Sequence, residues 1–363
     1  MVNLRYRVDH FRSESLEGNP LGGPVERELH VYLPPDYFES DRRYPVIYFL
    51  HGYSGNSRKV TVTPRVEDNK NLPLGLIPPE VLREIDVDRI ASYEKFDRLI
   101  VDGEVEPFIF VQPDGSLHLP HKHGVKDLTG EVQTKGSFYV NSPYTGMYED
   151  YIVYDVVRFV ESNYRTIRDR RCRAMVGGSM GGYGALRLCI DHPELFSILV
   201  ALSPANVTLD LLDWKLVIPI YEKVIGRELA EKLGALTWDD ILDTLDLVFT
   251  GRKLLSSIER DEEGKIVGFN ERALGEWRKN DLNTLIKDKP DALRDVHVAL
   301  SCEARDEFGL TKVAEELHET LMEREVEHRF EIYSDVKASL SPHMLGIAYN
   351  IIPAVKLCSQ LFP

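Results

Sequence analysis

The sequence is poor in cysteine, in positive charge and in long apolar runs, and each shortage removes a class of protein. Its four cysteines, Cys172, Cys189, Cys302 and Cys358, are scattered over 363 residues. None forms a close pair of metal-ligand spacing, and they lie in or beside apolar runs or in a predicted helix, so buried free thiols are expected. Lys and Arg number 44 against 59 Asp and Glu, a net charge of -15. An acidic excess of that size disfavours nucleic acid and membrane surfaces as partners. No stretch approaches the ~18 uninterrupted apolar residues of a membrane span. The first residues, Met1 to Tyr6 (MVNLRY), lack the apolar segment of a secretory signal, so a cytoplasmic protein is expected. No G-x-G-x-x-G or Walker pattern stands in a strand–turn–helix setting, so no nucleotide cofactor is expected. Repeats and low-complexity tracts are missing as well.

What is there is a succession of short β-rich runs: Glu28 to Leu33, Pro45 to Leu50, Phe108 to Val111, Arg173 to Val176, Ile198 to Leu202, Val296 to Ser301 and Arg329 to Tyr333. Continuous apolar runs of this length suit strands buried on both faces, as in a parallel sheet. Between them lie helix-length segments: Tyr148 to Tyr164, Gly181 to Asp191, Thr311 to Glu325 and His343 to Leu361. Strands alternating with helices predict an α/β fold with a mainly parallel, doubly wound sheet flanked by helices. Residues 1–204 and 291–363 form the expected catalytic domain. Residues 205–290 read as a mostly helical insertion or cap, with a helix opening at Thr237-Trp238-Asp239-Asp240 on a capping-box pattern. Residues 56–98 read as a smaller insertion near the active-site face.

The strongest chemical signal is Gly177-Gly178-Ser179-Met180-Gly181, which satisfies G-x-S-x-G. A nucleophile held at a sharp strand-to-helix turn needs neighbours without bulky side chains, because the backbone folds closely over itself. A predicted strand ends at Val176 and a predicted helix follows, which is the setting the motif requires. A serine hydroxyl also needs a base, and the base needs an orienting acid. Five histidines follow Ser179. His192 ends the helix after the motif, His297 and His328 are strand positions, and His318 is mid-helix. His343 alone lies in a loop after the last strand. For the acid, Glu303, Asp306 and Glu307 all follow the Val296 to Ser301 run; Asp306 is preferred and Asp335 is the runner-up. The tetrahedral intermediate needs N–H donors, expected from Met180 and from Tyr53 in the His51-Gly52-Tyr53-Ser54-Gly55 loop, with His51 supporting that loop. His118, His121 and His123, with Asp114 and Asp127 nearby, have neither the spacing nor the secondary structure that fixes a metal's geometry, so no metal is expected.

Taken together, His51-Gly52, Gln112-Pro113-Asp114-Gly115, the segment from Gly136 to Pro143 (GSFYVNSP), Glu149-Asp150-Tyr151 and Gly177 to Gly182 (GGSMGG) resemble the esterase D group of the α/β-hydrolase superfamily. That group spans S-formylglutathione hydrolases, feruloyl and acetyl-xylan esterases, enterochelin esterases and mycolyltransferases. Its motifs run from about residue 28 to 204 and resume from about 277 to 350. The resemblance implies an α/β-hydrolase fold, a triad of Ser179, Asp306 and His343, and oxyanion donors at Tyr53 and Met180. The chain departs from the group at Glu303 and Pro342, where glycine often stands.

The expected function is that of a serine carboxylesterase acting on short-chain or aromatic (feruloyl-type) esters through an acyl-enzyme. Acyl transfer or thioester hydrolysis uses the same triad and is the alternative within enzymes; a non-catalytic binding protein on the same fold is the alternative outside them. Leu211, Leu212, Trp214 and Ile218 of the insertion are candidates to line an apolar substrate pocket. The expected partner is a small ester, with no cofactor. The oligomeric state stays open, a homodimer among the options.

Overall fold

A computed structural model describes residues 5–70, 79–120, 134–207, 238–251, 255–263, 266–337 and 341–363. Its centre is an eight-stranded sheet made of β1 (Tyr6–Arg12), β2 (Glu26–Tyr32), β3 (Val46–Leu50), β4 (Ile109–Pro113), β5 (Arg173–Gly178), β6 (Ile198–Leu202), β7 (His297–Glu303) and β8 (His328–Tyr333). The strands lie in the order β1-β2-β4-β3-β5-β6-β7-β8. β1 pairs antiparallel with β2, and β2 antiparallel with β4; every later pairing is parallel. This is the sheet of an α/β-hydrolase.

The apolar runs follow from burial on both sides. In β3, Val46, Tyr48 and Leu50 point into one hydrophobic cluster while Ile47 and Phe49 point into the other, so no position is left for a polar residue. The first cluster is closed by α2 (Tyr148–Asn163, with a π-helical turn over Tyr151–Val156), α3 (Met180–Asp191) and α7 (Leu310–Glu323). The second is closed by α1 (Tyr93–Val101), through Tyr93, Phe96 and Leu99, and by α8 (Pro342–Leu361), through Ile351, Ala354, Val355 and Cys358. The end of the 56–98 stretch thus enters α1, the helix that joins β3 to β4. All four cysteines are buried and free.

The 205–290 stretch contributes, among its described residues, α4 (Trp238–Phe249), a hairpin pairing Ile258–Arg260 with Ile266–Phe269, α5 (Glu271–Arg278) and α6 (Leu282–Asp288). The hairpin encloses an exposed acidic turn at Asp261, Glu262 and Glu263. Leu211, Leu212, Trp214, Ile218 and Thr237 lie outside the described residues. By length and composition α8 is apolar enough to cross a bilayer. Here it runs along β5, β6 and β7 and carries His343 in its first turn.

Candidate active site

Ser179 stands between β5 and α3 with φ 58° and ψ -120°, a backbone conformation that costs a non-glycine residue roughly 1–3 kcal/mol. Two glycines make the turn possible. A Cβ built on Gly177 would lie 2.0 Å from the carbonyl oxygen of Gly181, and one on Gly181 would lie 2.0 Å from that of Leu50. The turn is locked by the Ser179 N–H donating to Leu202 O and by the Tyr183 and Ala205 N–H groups donating to Ser179 O. Although Ser179 occupies the N-cap position of α3, its side chain makes no capping hydrogen bond. The half-buried hydroxyl is therefore left for other work. The Met180 N–H opens α3, among the first-turn donors that have no partner within a helix.

The loop after β3 passes against Ser179: a Cβ on Gly52 would come within 3.5 Å of Ser179 Cβ. Its shape is set from behind. The Gly115 N–H donates to His51 Nε2 (2.9 Å), which leaves the ring proton on Nδ1 to donate to Gly52 O (2.7 Å). Tyr139 Oη donates to His51 O at 3.0 Å. Burial lowers the His51 pKa against the pull of Asp114, which keeps the ring neutral. Behind His51 lies a buried ion pair, Arg27 with Asp114 at 3.3 Å; Arg27 also donates to the carbonyls of Asp114 and Ser116. Burial alone would raise Asp114, yet the charge of Arg27 and the hydrogen bond of His118 hold it well below the usual carboxylate range. The Tyr148 and Tyr151 rings flank the guanidinium at 5.6 and 5.7 Å. The aromatic segment at the start of α2 thus serves the loop beside Ser179 through Arg27 and Asp114. In front, Tyr53 hydrogen-bonds through its hydroxyl to the buried Thr244 of α4, which ties the loop to the insertion.

On the opposite side, His343 Nδ1 donates to Asp306 Oδ2 at 2.6 Å. Asp306 is fixed in turn: its Oδ1 accepts the Phe308 N–H (3.0 Å), and its own N–H donates to Glu303 O (3.0 Å). Burial would lower the His343 pKa, but the charge and hydrogen bond of Asp306, followed by the charge of Glu307, raise it instead. α8 also packs against the elbow. Ile347, one turn after His343 on the same helix face, meets the position of a Gly178 Cβ at 2.7 Å, immediately before Ser179.

The other sequence candidates go elsewhere. Asp335 pairs with Arg89 at 2.6 Å on the surface, and His192 bonds Glu149 at 2.9 Å. His318 and His328 bond each other at 2.7 Å. His118 Nε2 bonds Asp114 Oδ2 at 2.8 Å, while His121, His123 and Asp127 lie outside the described residues. No group of three metal-ligand side chains occurs among the described residues. Glu303, at a position where the esterase D group often has glycine, is fully buried at the end of β7; its Oε1 accepts weakly from the Arg305 N–H and Nε, and its Oε2 has no partner among the described residues. Arg27 carried no sequence signal of its own, because an isolated arginine in a strand reads as a solvated residue.

Comparison with known proteins agrees with this architecture. The family described as "Putative esterase" matches residues 88–337, a span that includes Ser179 and Asp306. An endo-1,4-beta-xylanase/feruloyl esterase of Xylanibacter ruminicola is 28% identical over 171 residues, covering 46% of this chain and 18% of that protein. Esterase Rv1288 of Mycobacterium tuberculosis is 25% identical over 184 residues, covering 50% of this chain and 28% of that protein. The matched segments thus span under a third of these relatives' own length. Among solved structures, a ferulic acid esterase superposes with a TM-score of 0.60 at 19% identity, covering 99% of this chain and 98% of its own. An S-formylglutathione hydrolase from Agrobacterium tumefaciens gives 0.52 at 17% identity, covering 99% and 95%. With the family match spanning more than half of its length, the chain belongs to this esterase family.

Proposed function

We propose that the protein is a serine carboxylesterase that hydrolyses short-chain or aromatic, feruloyl-type esters through an acyl-enzyme on Ser179. The observation that carries this reading is the 2.6 Å hydrogen bond from His343 Nδ1 to the buried Asp306, on a helix packed against the glycine elbow that strains Ser179. In the first step Ser179 Oγ attacks the ester carbonyl while His343 Nε2 takes its proton. The oxyanion is received by the Met180 and Tyr53 N–H groups, and His343 then protonates the departing alcohol. In the second step water attacks the acyl-enzyme, His343 takes the water's proton, and Ser179 leaves with that proton as the acid is released. The feruloyl preference is supported by the name of the Xylanibacter relative.

The test is hydrolysis of p-nitrophenyl esters from acetate to decanoate, together with methyl ferulate, by wild type and Ser179→Ala. Removal of a triad nucleophile lowers kcat by about 10⁶, so the variant is expected to be inert. Equal activity of the two proteins would remove Ser179 from the mechanism. Matched ester and thioester substrates separate this reading from thioester hydrolysis, and a competing alcohol separates it from acyl transfer.

A further inference from the structure

Three consecutive residues of the loop after β7 grip His343. Asp306 takes its ring N–H, and the Phe308 ring meets the imidazole edge-on, with centroids 5.0 Å apart. Between them Glu307 reaches a different part of the same residue. Its Oε2 accepts the backbone N–H of His343 at 2.9 Å, and its Oε1 accepts the Ser341 hydroxyl. Ser341 Oγ in turn caps α8 by accepting the Met344 N–H at 3.1 Å. The first turn of α8, with Pro342 inside it, is thus fastened to the acid loop through a carboxylate placed at the positive end of a 20-residue helix.

We infer that Glu307 is a positioning residue for the reaction proposed above: it fixes the backbone of His343 while Asp306 fixes the ring, so that the imidazole is held at both ends. The inference rests on His343 being the base. Without Glu307 the imidazole would still bond Asp306, but the helix turn carrying it would be free to shift relative to Ser179. The Glu307 carboxylate also lies close enough to favour the protonated ring. The other groups around His343 leave that influence to the two acids. Glu303 and Arg305, behind Asp306, pair with each other at 3.3 Å. Cys302 lies under Asp306, its sulfur 3.9 Å from Oδ2, and burial keeps the thiol neutral by pushing its pKa up to about 12. Tyr333, on β8, is likewise held neutral by burial. The elbow contributes Ser179 and glycines.

The experiment compares kcat and kcat/KM against pH for wild type, Glu307→Gln, Glu307→Ala and His343→Ala, with thermal unfolding of each. Glutamine can accept the His343 N–H and donate to Ser341, so Glu307→Gln is expected to keep kcat within a few-fold. Its acid limb should move down by up to about one pH unit, because a negative charge has gone. Glu307→Ala loses the grip, and kcat is expected to fall by about 10–100-fold with KM little changed. Wild-type kcat and an unmoved acid limb in both variants, beside an inert His343→Ala, would overturn the role of Glu307 and leave the triad standing. An active His343→Ala would overturn the base assignment, and this inference with it. Should Glu307→Ala fail to fold, Glu307→Asp takes its place: one methylene shorter, it keeps the charge but not the reach to both Ser341 and His343, and wild-type kcat there would overturn the positioning role.

Discussion

The two loops that flank Ser179 are stabilised by opposite means. The loop after β3 is backed by a buried ion pair, Arg27 with Asp114, relayed through a neutral histidine. The loop after β7 holds its histidine with two carboxylates near the surface of the site, one buried and one half-buried. The first is a rigid support whose charges do not titrate near neutrality. The second holds a histidine whose pKa the two carboxylates raise, and in the proposed reaction it is the acid–base device. In the proposed reaction this division is functional, since oxyanion donors must keep one shape at every pH of use while the base must exchange a proton in each half-reaction.

The comparison breaks most severely at Asp306. Asp306→Asn leaves the shape of the β7 loop but loses the charge and the orientation of His343, and kcat is expected to fall by about 10³–10⁴; steady-state kinetics on p-nitrophenyl acetate checks this. Next is the support itself. Arg27→Met strands the buried Asp114 carboxylate and is expected to cost about 3–5 kcal/mol in urea unfolding. Pairing it with Asp114→Asn should recover much of that loss; an unfolding midpoint unchanged by Arg27→Met would show the ion pair to be idle.

Third is pH. His343 is raised above the ordinary imidazole value of about 6.5, and the base must be neutral to act, so kcat/KM should fall on the acid side with a midpoint above that value. The stabilising effect of the charged ring runs the other way: it is complete below about 6.5 and fades as pH rises through the folded value. Asp114, held low, contributes stability above the usual carboxylate range of about 3.9 and loses it only as pH falls through its folded value. Unfolding followed between pH 5 and 9 should therefore be blind to Asp114, and the difference between wild type and His343→Ala isolates the His343 contribution from those of His51, His192 and Asp246, which are also shifted. The smallest effect is expected at the link between loop and insertion. Tyr53→Phe removes the bond to Thr244 and should cost about 1 kcal/mol. A double-mutant cycle with Thr244→Val measures the coupling, and additive losses would mean that the insertion does not steady this loop.

Sequence reasoning reached the parallel strands because burial on both faces leaves an unbroken apolar signature. It did not reach β1, whose residues YRVDHFR lie on a sheet edge and are mostly exposed, so no apolar run marks them. The elbow was legible because its glycines are a steric necessity, visible in the text as Gly177 and Gly181. The preference for Asp306 over Asp335 rests on its place just after the Val296 to Ser301 strand; the pairing of Asp335 with Arg89 supplies a further physical reason to prefer Asp306. Arg27, and the contact of Glu307 with the His343 backbone, stayed hidden for a common reason. Each works on a residue far away in sequence, 87 positions for Arg27 and Asp114 and 36 for Glu307 and His343. A lone charged residue carries no sign of such a partner.

The four buried cysteines have a practical consequence. Burial raises the pKa of each thiol, and that of Cys302 reaches about 12, so none should react quickly with maleimides near neutral pH. The native chain is in that sense a cysteine-free background for labelling. Val101, at the end of α1, and Val267, on the hairpin of the insertion, are both largely exposed. A pair of dyes placed there through Val101→Cys and Val267→Cys would turn any movement of the insertion against the sheet into a fluorescence signal, with every native residue of the site left in place.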